Sequence, residues 1–385
     1  MLDEKPMAGN VKNSDEEVIA AYEQFGTYHA AAKHLGVSKP GLMRRIKRIQ
    51  RRNPDQSIIT PAPEIEKPET LKGRSLLRDP QTGETRLEWV KTDVKAEHRL
   101  EAMQAAVEVM CEEIKPVASS PKPERRNEDL LSCYVLSDAH IGMLAFEEET
   151  GGENYDTKIA EQILNKWIEA AVDLSPDAHT GLLLQLGDWL HFDGMVPETP
   201  ASKHHLDTDT RFQLLVKVAI RVLRGVVDHM LAKHEHVHII MADANHDPAS
   251  GAWLREMFSV LYENEPRITV DTSADSYYAY LWGDVSLFAH HGHKAKMQSV
   301  SQVFAGKFRE IFGNTSYSYA HVGHCHHAAL KEDSMMIVEQ HTTLAARDAY
   351  AAKAGYINQR GASVITYHKK YGEVGRVTIR PEMLM

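Results

Sequence analysis

The chain is predicted to be an α/β protein in which two packed mixed β-sheets are flanked by helices, with a small all-α domain in front of them. Five short apolar runs between residues 128 and 385 each end in Asp, Asn or His, and amphipathic helical patterns alternate with them. That alternation predicts parallel strands. Two further pairs of apolar runs, at 277–289 and 362–379, are each joined by turn residues, so they predict hairpins and mixed sheets.

Composition and length set the class of protein. The chain has 385 residues, 43% of them hydrophobic, which is enough for more than one domain and a sizeable core. No apolar run reaches the roughly 18 residues of a membrane span, and the N-terminus lacks the apolar stretch of a signal peptide. The three cysteines form no paired spacing, as in a reducing compartment. We therefore expect a cytoplasmic protein with no membrane partner.

Charge is distributed unevenly along the chain. The net charge is −10, but residues 1–53 carry ten Lys or Arg against six Asp or Glu, so they hold +4 and the remainder holds −14. A polyanion should therefore be attracted by the N-terminal segment and repelled by the rest of the surface.

The N-terminal segment carries the signals of three short helices. Ser14 and Glu17 have capping-box spacing, Gly36 ends a second helix, and Ser38 caps a third. This order resembles a helix-turn-helix, so residues 1–53 are predicted to bind DNA; a solvated bundle with an incidental basic face is the alternative. The predicted DNA contacts are Lys39, Arg44, Arg45, Lys47, Arg48, Arg51 and Arg52.

The next segments connect this domain to the strands. Residues 54–74 are Pro-rich and predict a semi-rigid linker. Residues 75–127 predict a hairpin, with strands at 75–78 and 87–90, then a helix over 94–115 and a second linker. The apolar residues of that helix have heptad spacing over barely two heptads, so it either forms a homodimer or packs on the catalytic body. The hairpin looks like segments of bacteriophage proteins.

The first strand end defines the chemistry. Tyr134-Val135-Leu136 form an apolar strand, and Asp138 and His140 follow it. Two side chains at this spacing, just past the carboxyl end of a strand, can direct a carboxylate and an imidazole at one point above the sheet. Asp-x-His also occurs in ordinary loop turns, so the later strand ends decide between a metal site and a turn.

Four later apolar runs end in the same residue types. These ends carry Asp188 and His191, then Asn245 and His246, then His290 and His291, and finally His324 and His326. Carboxylate, amide and imidazole groups together suit Mn, Fe, Ni or Zn. Five such ends are unlikely to be independent, so the sequence predicts one metal site built from all of them.

The order of these motifs resembles the calcineurin-like metallophosphoesterases over about residues 130–345. Ala244 stands where that family usually has glycine. The resemblance implies one metal on Asp138, His140 and His326, another on Asn245, His291 and His324, and a bridging Asp188. It also implies that His246 is the acid-base residue beside the scissile phosphate, and His191 is a second catalytic candidate.

The resemblance implies two divalent ions that clamp a phosphate and activate water. Manganese is the first expectation, with zinc, iron and nickel as alternatives. Protein phosphatases of this family carry Asp and Arg where this chain has His191 and Phe192, which disfavours that branch. Gly-Asp-x-x-His is similar to SbcD-type repair exonucleases, so a nuclease acting on DNA is favoured. A small-nucleotide phosphodiesterase or phosphatase and a DNA-binding regulator with an inactive enzyme body are the alternatives.

The long connection at 192–211 lies next to these motifs. Long loops beside a site often contact substrate, so His204, His205 and Arg211 are predicted substrate contacts. The alternative is a solvated loop in which Asp207 or Asp209 caps the following helix. Asp156 is predicted to cap the helix before it. Histidines without a motif partner are expected at the surface, namely His229, His234, His236 and His238.

Overall fold

A computed structural model describes residues 13–25, 28–38, 41–42, 45–46, 49, 71–78, 85–92 and 126–384. The chain divides into two units, Met1–Glu97 and His98–Met385. The predicted helix over 94–115, with its expected dimer contact, lies outside the described residues. The same holds for six of the predicted DNA contacts: Lys39, Arg44, Lys47, Arg48, Arg51 and Arg52.

The first unit opens with helices α1 (Asp15–Phe25) and α2 (Tyr28–Leu35). Its capping box is reciprocal, since the Ser14 amide donates to Glu17 Oε2 at 2.6 Å and the Glu17 amide donates to Ser14 Oγ at 3.1 Å. Ser38 Oγ accepts from the Gly41 amide at 3.2 Å, where the sequence predicts the third cap. The helical residues share one core, formed by Val18, Ala21, Tyr22, Ala31, Ala32, Leu42, Ile46 and Ile49.

Strands β1 (Leu71–Arg78) and β2 (Thr85–Thr92) pair antiparallel in the same unit, at the position of the predicted hairpin. β1 begins at Leu71, so its first four residues lie within the stretch that the sequence predicts as linker. The predicted linker runs too far because β1 has few β-branched residues to mark its start, whereas the residues before it are Pro-rich.

The second unit contains two mixed sheets. The six-stranded sheet has the order β13-β12-β3-β4-β5-β6 and the five-stranded sheet has the order β10-β11-β9-β8-β7. Their bounds are β3 (Asn127–Leu136), β4 (Ala178–Gln185), β5 (His236–Met241), β6 (Ile268–Val270), β7 (Tyr278–Trp282), β8 (Val285–His290), β9 (Tyr317–Val322), β10 (Ala329–Glu332), β11 (Ile337–Gln340), β12 (Ala362–His368) and β13 (Gly372–Ile379).

Strand direction follows the predicted pattern. β3, β4, β5 and β6 run parallel to one another in one sheet, where β12 pairs antiparallel with β3. In the other sheet β8, β9 and β11 are parallel. β7 with β8 and β12 with β13 form the two predicted hairpins. The predicted pair of mixed sheets is therefore confirmed.

Alternating side chains of each strand serve different layers. On β3, Val135 belongs to the core between the sheets, together with Leu287 of β8, while Tyr134 belongs to the core under the helices. Both faces of the sheet are buried, so successive residues of these strands are apolar. The flanking helices are α3 (Glu147–Thr150), α4 (Thr157–Leu174), α5 (Phe212–Lys233), α6 (Pro248–Leu261), α7 (Val300–Lys307), α8 (Arg309–Gly313) and α9 (Ala349–Lys353).

Neither Asp207 nor Asp209 caps helix α5, although the sequence left that alternative open. Asp156 caps α4 as predicted, because its carboxylate accepts from the Ile159 amide at 2.7 Å. The cap residue of α5 is Arg211, which makes no side-chain capping bond. Asp209 instead accepts from the Thr157 amide at 3.0 Å, so it braces the start of α4. The capping alternative for α5 is wrong because Asp209 has a partner distant in sequence.

His234 contradicts the prediction that it lies at the surface. Its side chain is fully buried, Nδ1 lies 2.8 Å from the Ala178 carbonyl, and Nε2 lies 2.7 Å from the Tyr134 hydroxyl. Burial lowers the pKa of His234 to about 4.

Within the described part of the chain, no helix has the length and apolar character needed to span a bilayer.

Candidate metal centre

The carboxyl ends of β3, β4, β5, β8 and β9 meet on one side of the sandwich. Because β3 to β5 run parallel, and β8 and β9 do so in the second sheet, the loops that follow these strands converge. The loops are bonded to each other through the backbone. The Asp138 amide donates to the Gly187 carbonyl at 3.2 Å, and the Gly323 amide donates to the His291 carbonyl at 2.8 Å.

These loops hold their side chains on a strained backbone. Asp138, His140, Asp188, His324 and His326 all have positive φ, between 44° and 72°. Among the other non-glycine residues that the structure describes, only Lys203 shares this conformation. The left-handed region costs about 1–3 kcal/mol for such residues, and it persists where the surroundings demand it, most often at functional sites. Backbone strain is thus concentrated at the residues that the sequence motifs singled out.

The first cluster consists of Asp138, His140 and His326. His326 Nε2 lies 3.2 Å from both Asp138 Oδ1 and His140 Nε2. The other carboxylate oxygen of Asp138 accepts from the Ser137 hydroxyl and, at 3.0 Å, from the His324 amide. Burial would raise the pKa of Asp138, but the neighbouring His326 outweighs it and holds that pKa well below its ordinary value.

The second cluster consists of Asp188, His291 and His324, with Asn245 beside it. His291 Nε2 lies 3.2 Å from Asp188 Oδ2 and 2.9 Å from Asn245 Oδ1. His291 Nδ1 lies 2.7 Å from the Leu186 carbonyl and therefore carries a proton. That bond leaves His291 Nε2 directed at the two oxygen ligands.

The donor set fits a divalent metal in each cluster. The ligand atoms of each group lie within 4.8 Å of one another. Ligands bonded to one tetrahedral ion at about 2.0–2.1 Å are themselves about 3.3 Å apart, which is close to the contacts around His326 and His291. Burial lowers the pKa of His291, but Asp188 outweighs it and raises that pKa to about 9. A cation would take the place of this proton.

The two predicted catalytic histidines lie beside the first cluster. The His246 amide donates to Asp188 Oδ1 at 2.9 Å, and His246 Nδ1 lies 2.8 Å from the His191 carbonyl. The rings of His140 and His246 have centroids 4.7 Å apart. His191 is buried against His140, with their Nδ1 atoms 3.3 Å apart. His140, His191 and His246 also form a group compact enough to hold a metal.

Ala244 sits in the loop of Asn245 without backbone strain. It is buried, and it is not among the residues with positive φ. Gly187 makes the space for it, because a Cβ on Gly187 would lie 2.6 Å from the Ala244 Cβ and 2.8 Å from His291 Nδ1. A glycine is therefore needed at position 187, with a φ of +96°, and position 244 tolerates alanine.

Several predicted residues lie apart from the two clusters. None of the hydrogen bonds among the described residues joins His204, His205 or Arg211 to either cluster, and both histidines are exposed. In the N-terminal unit, Arg45 pairs with Asp15 at 2.7 Å and donates to the Asn13 carbonyl. These substrate and DNA contacts stay predictions.

Other residues that support the site were missed from the sequence. Asp193 accepts from the Ala249 and Ser250 amides at 2.7 and 2.8 Å, so it braces the start of the helix after His246. Thr343 Oγ1 donates to the Asp138 carbonyl at 2.6 Å. These partners are tens or hundreds of residues apart, and no local pattern marks them.

Comparison with known proteins gives weak likenesses. No protein-family model and no curated protein sequence matches this chain. A conserved predicted phosphoesterase of known structure from Streptococcus pneumoniae is 9% identical over 66% of this chain and 92% of that one, with a TM-score of 0.32. An archaeal phosphodiesterase is 13% identical over 64% and 99%, with a TM-score of 0.33.

Zinc-bound Vps29 from Entamoeba histolytica is 10% identical over 65% of this chain and 99% of that chain, with a TM-score of 0.28. Identities and TM-scores this low carry no conclusion about function. The chemistry of this chain therefore has to be inferred from its own site.

Proposed function

We propose that the chain is a dinuclear metal-dependent phosphodiesterase. The observation that carries this proposal is the pair of adjacent clusters, Asp138/His140/His326 and Asp188/His291/His324. They are linked, since the His324 amide donates to Asp138 while the His324 side chain belongs to the other cluster. A structural metal site needs one closed set of ligands, whereas two adjoining sets at the mouth of a sheet suit hydrolysis of a phosphoester.

Two bound divalent ions would neutralise a phosphate and lower the pKa of a water molecule. The chain's own residues hold and orient the reacting groups. Asp188 supplies negative charge between the clusters, and its Oδ1 fixes the His246 backbone through the bond to the His246 amide. The carbonyl of His191 orients the His246 ring, which supports a role for His246 in giving a proton to the leaving oxygen.

DNA is the substrate that we propose, which makes the protein a nuclease. The support is the basic segment at residues 1–53, which holds +4, while the remainder of the chain holds −14. The acidic remainder of the chain should repel DNA everywhere except at its metal centre. Attraction of DNA would therefore depend on the N-terminal basic residues. A small-nucleotide phosphodiesterase needs no such recruitment.

The test uses the full chain with Mn²⁺, supercoiled, linear and single-stranded DNA, cyclic nucleotides and bis(p-nitrophenyl) phosphate. We expect metal-dependent cleavage of DNA and of the generic diester. Replacing Arg48, Arg51 and Arg52 by Gln should reduce the slope of log K for DNA against log salt by roughly 0.9 for each phosphate that the variant no longer neutralises. Arg309→Gln is the control, because Arg309 is an exposed arginine of the catalytic unit.

Hydrolysis of cyclic nucleotides without DNA cleavage would replace the nuclease proposal by the small-nucleotide one. DNA binding whose salt slope matches that of the control would show that Arg48, Arg51 and Arg52 are not the DNA anchor. Full DNA binding without hydrolysis of any diester would favour a regulator with an inactive enzyme body.

A further inference from the structure

A cleft opens beside the first cluster and belongs to no sequence motif. It is lined by His326, Thr343, Tyr356, Asn358, Gln359 and Arg380, and we call it the C-terminal cleft. Because His326 is part of its lining, a phosphate held at the metal centre would have the rest of its molecule beside this cleft. An adjoining hollow shares Asn358, Gln359 and Arg380. The two spaces therefore adjoin at these residues.

Most charged side chains around the C-terminal cleft are already engaged. Arg360 pairs with Glu153 and donates to the Leu344 carbonyl, and Arg347 donates to the Thr150 carbonyl at 3.3 Å. Asp348 caps helix α9 by accepting from the Ala351 amide at 2.7 Å. These bonds help to hold the walls of the cleft in place.

Arg380 is different. Its side chain makes no hydrogen bond or ion pair with any residue in the described part of the chain, and it is exposed in both spaces. A free guanidinium near a phosphoester centre suits a second phosphate. Glu382 also lines the C-terminal cleft, and its carboxylate opposes an anion there.

The remaining lining groups suit a nucleobase. Tyr356 is 56% exposed, so one side of its ring is available for stacking. The side chains of Asn358 and Gln359 are exposed amides, which can donate to and accept from the edge of a base. An exposed aromatic ring, two amides and one free arginine match a nucleotide better than a phosphorylated protein surface.

We infer that the C-terminal cleft binds the nucleotide next to the scissile phosphate, with its base on Tyr356 and its flanking phosphate on Arg380. This inference rests on the proposed phosphodiesterase function and names a substrate subsite for it. It also implies that the strand enters in single-stranded form, because in a duplex the neighbouring bases cover both faces of a base and pairing occupies its edge.

The test measures equilibrium binding of deoxyadenosine 3′,5′-bisphosphate to the full chain in Mn²⁺, by titration calorimetry, with inorganic phosphate as the reference ligand. Tyr356→Ala should weaken binding of the bisphosphate about tenfold. Arg380→Gln should weaken it about fivefold or more, and Glu382→Gln should strengthen it about two- to fivefold. Opposite shifts from two neighbouring exposed residues cannot come from misfolding.

Matched controls are Tyr350→Ala and Arg309→Gln, since Tyr350 is 74% exposed and neither residue lines the C-terminal cleft. Cleft variants that bind the bisphosphate like these controls would overturn the inference. So would a wild-type protein that binds the bisphosphate no more tightly than inorganic phosphate. Hydrolysis of bis(p-nitrophenyl) phosphate, measured in parallel, reports on the proposed function separately, because that diester has no base.

Discussion

Asp188 is the carboxylate on which the dinuclear assignment depends. It is buried, its Oδ1 accepts from the His246 amide and its Oδ2 lies 3.2 Å from His291 Nε2. Asp188→Asn keeps the shape but removes the charge that would offset repulsion between two ions. We expect the bound metal to fall from two equivalents to one and hydrolysis of bis(p-nitrophenyl) phosphate to fall by about 10² or more.

The control is Asp243→Asn in the loop of Asn245. Asp243 accepts from Lys294 at 2.7 Å and from Ser276 at 2.8 Å, and it belongs to neither cluster. That variant should keep two metal equivalents, as measured by mass spectrometry of the dialysed protein. Two equivalents and wild-type turnover in Asp188→Asn would rule out a bridging role for Asp188.

His246 has two competing roles that one experiment separates. Its bond to the His191 carbonyl suits a proton donor, but its position near His140 also suits a ligand. For a donor, His246→Ala should keep both metals and slow hydrolysis of a diester with a poor leaving group by about 10². Thymidine 5′-phenyl phosphate should be affected far more than thymidine 5′-(p-nitrophenyl) phosphate, because nitrophenolate leaves without a proton. Equal losses accompanied by loss of metal would make His246 a ligand.

At the residue scale, the residues that meet at the site could be predicted from the sequence, but the residues that hold them in place could not. All seven predicted ligands lie together, because carboxyl ends of neighbouring parallel strands must meet. His234 looked like a surface residue because its partners, Tyr134 and Ala178, are distant in sequence. Asp193 was missed for the same reason.

The loop after β9 is packed against the loop after β3 with no space to spare. A Cβ on Gly323 would overlap Ser137 Oγ and lie 2.8 Å from Asp138 Oδ2. Gly323→Ala should therefore displace a ligand and weaken metal binding by about tenfold or more, a loss typical of changes around metal ligands. Titration of the metal-free protein with Mn²⁺ measures this affinity.

Gly306→Ala is the matched control for that variant. Gly306 lies in helix α7, and a Cβ there would meet no atom within 4 Å. This change should leave Mn²⁺ affinity alone and raise the free energy of unfolding by about 0.5–1 kcal/mol, because alanine restricts the unfolded chain. Equal metal affinities in the two glycine variants would show that the contact between the loops does not position Asp138.

At the element scale, strands were predictable and loop conformations were not. Apolar runs of β3, β4, β5, β8 and β9 marked the strands because both faces of each sheet are buried. The positive φ of Asp138, His140, Asp188, His324 and His326 carries no sequence signal, since none of them is glycine. The C-terminal cleft was not predicted, because its walls come from separate segments that only the fold brings together.

For the whole molecule, buried histidines predict loss of stability in acid. The folded pKa of His234 is about 4 because of burial, against about 6.5 in an unfolded chain. Between these values the unfolded state binds more protons, so stability falls as pH drops, by up to about 1.4 kcal/mol per pH unit for this residue. His321, also buried, has a pKa lowered to about 3 and adds to the effect.

His234→Gln tests this dependence. The variant should be less stable than wild type at pH 8, and the difference should shrink between pH 6.5 and 4 (about the window set by the two pKa values). Urea unfolding in the presence of a chelator at each pH measures both proteins without metal. Parallel stability curves across the window would mean that His234 does not stay neutral in the folded state.

The most direct test of the dinuclear site is anomalous diffraction from crystals of the full chain grown with Mn²⁺. We expect two peaks about 3.5–4 Å apart, one within bonding distance of Asp138, His140 and His326 and the other of Asn245, His291 and His324. Asp188 should lie between them. A single peak, or an ion found only at the separate group of His321, Glu339 and His341, would contradict the dinuclear phosphodiesterase.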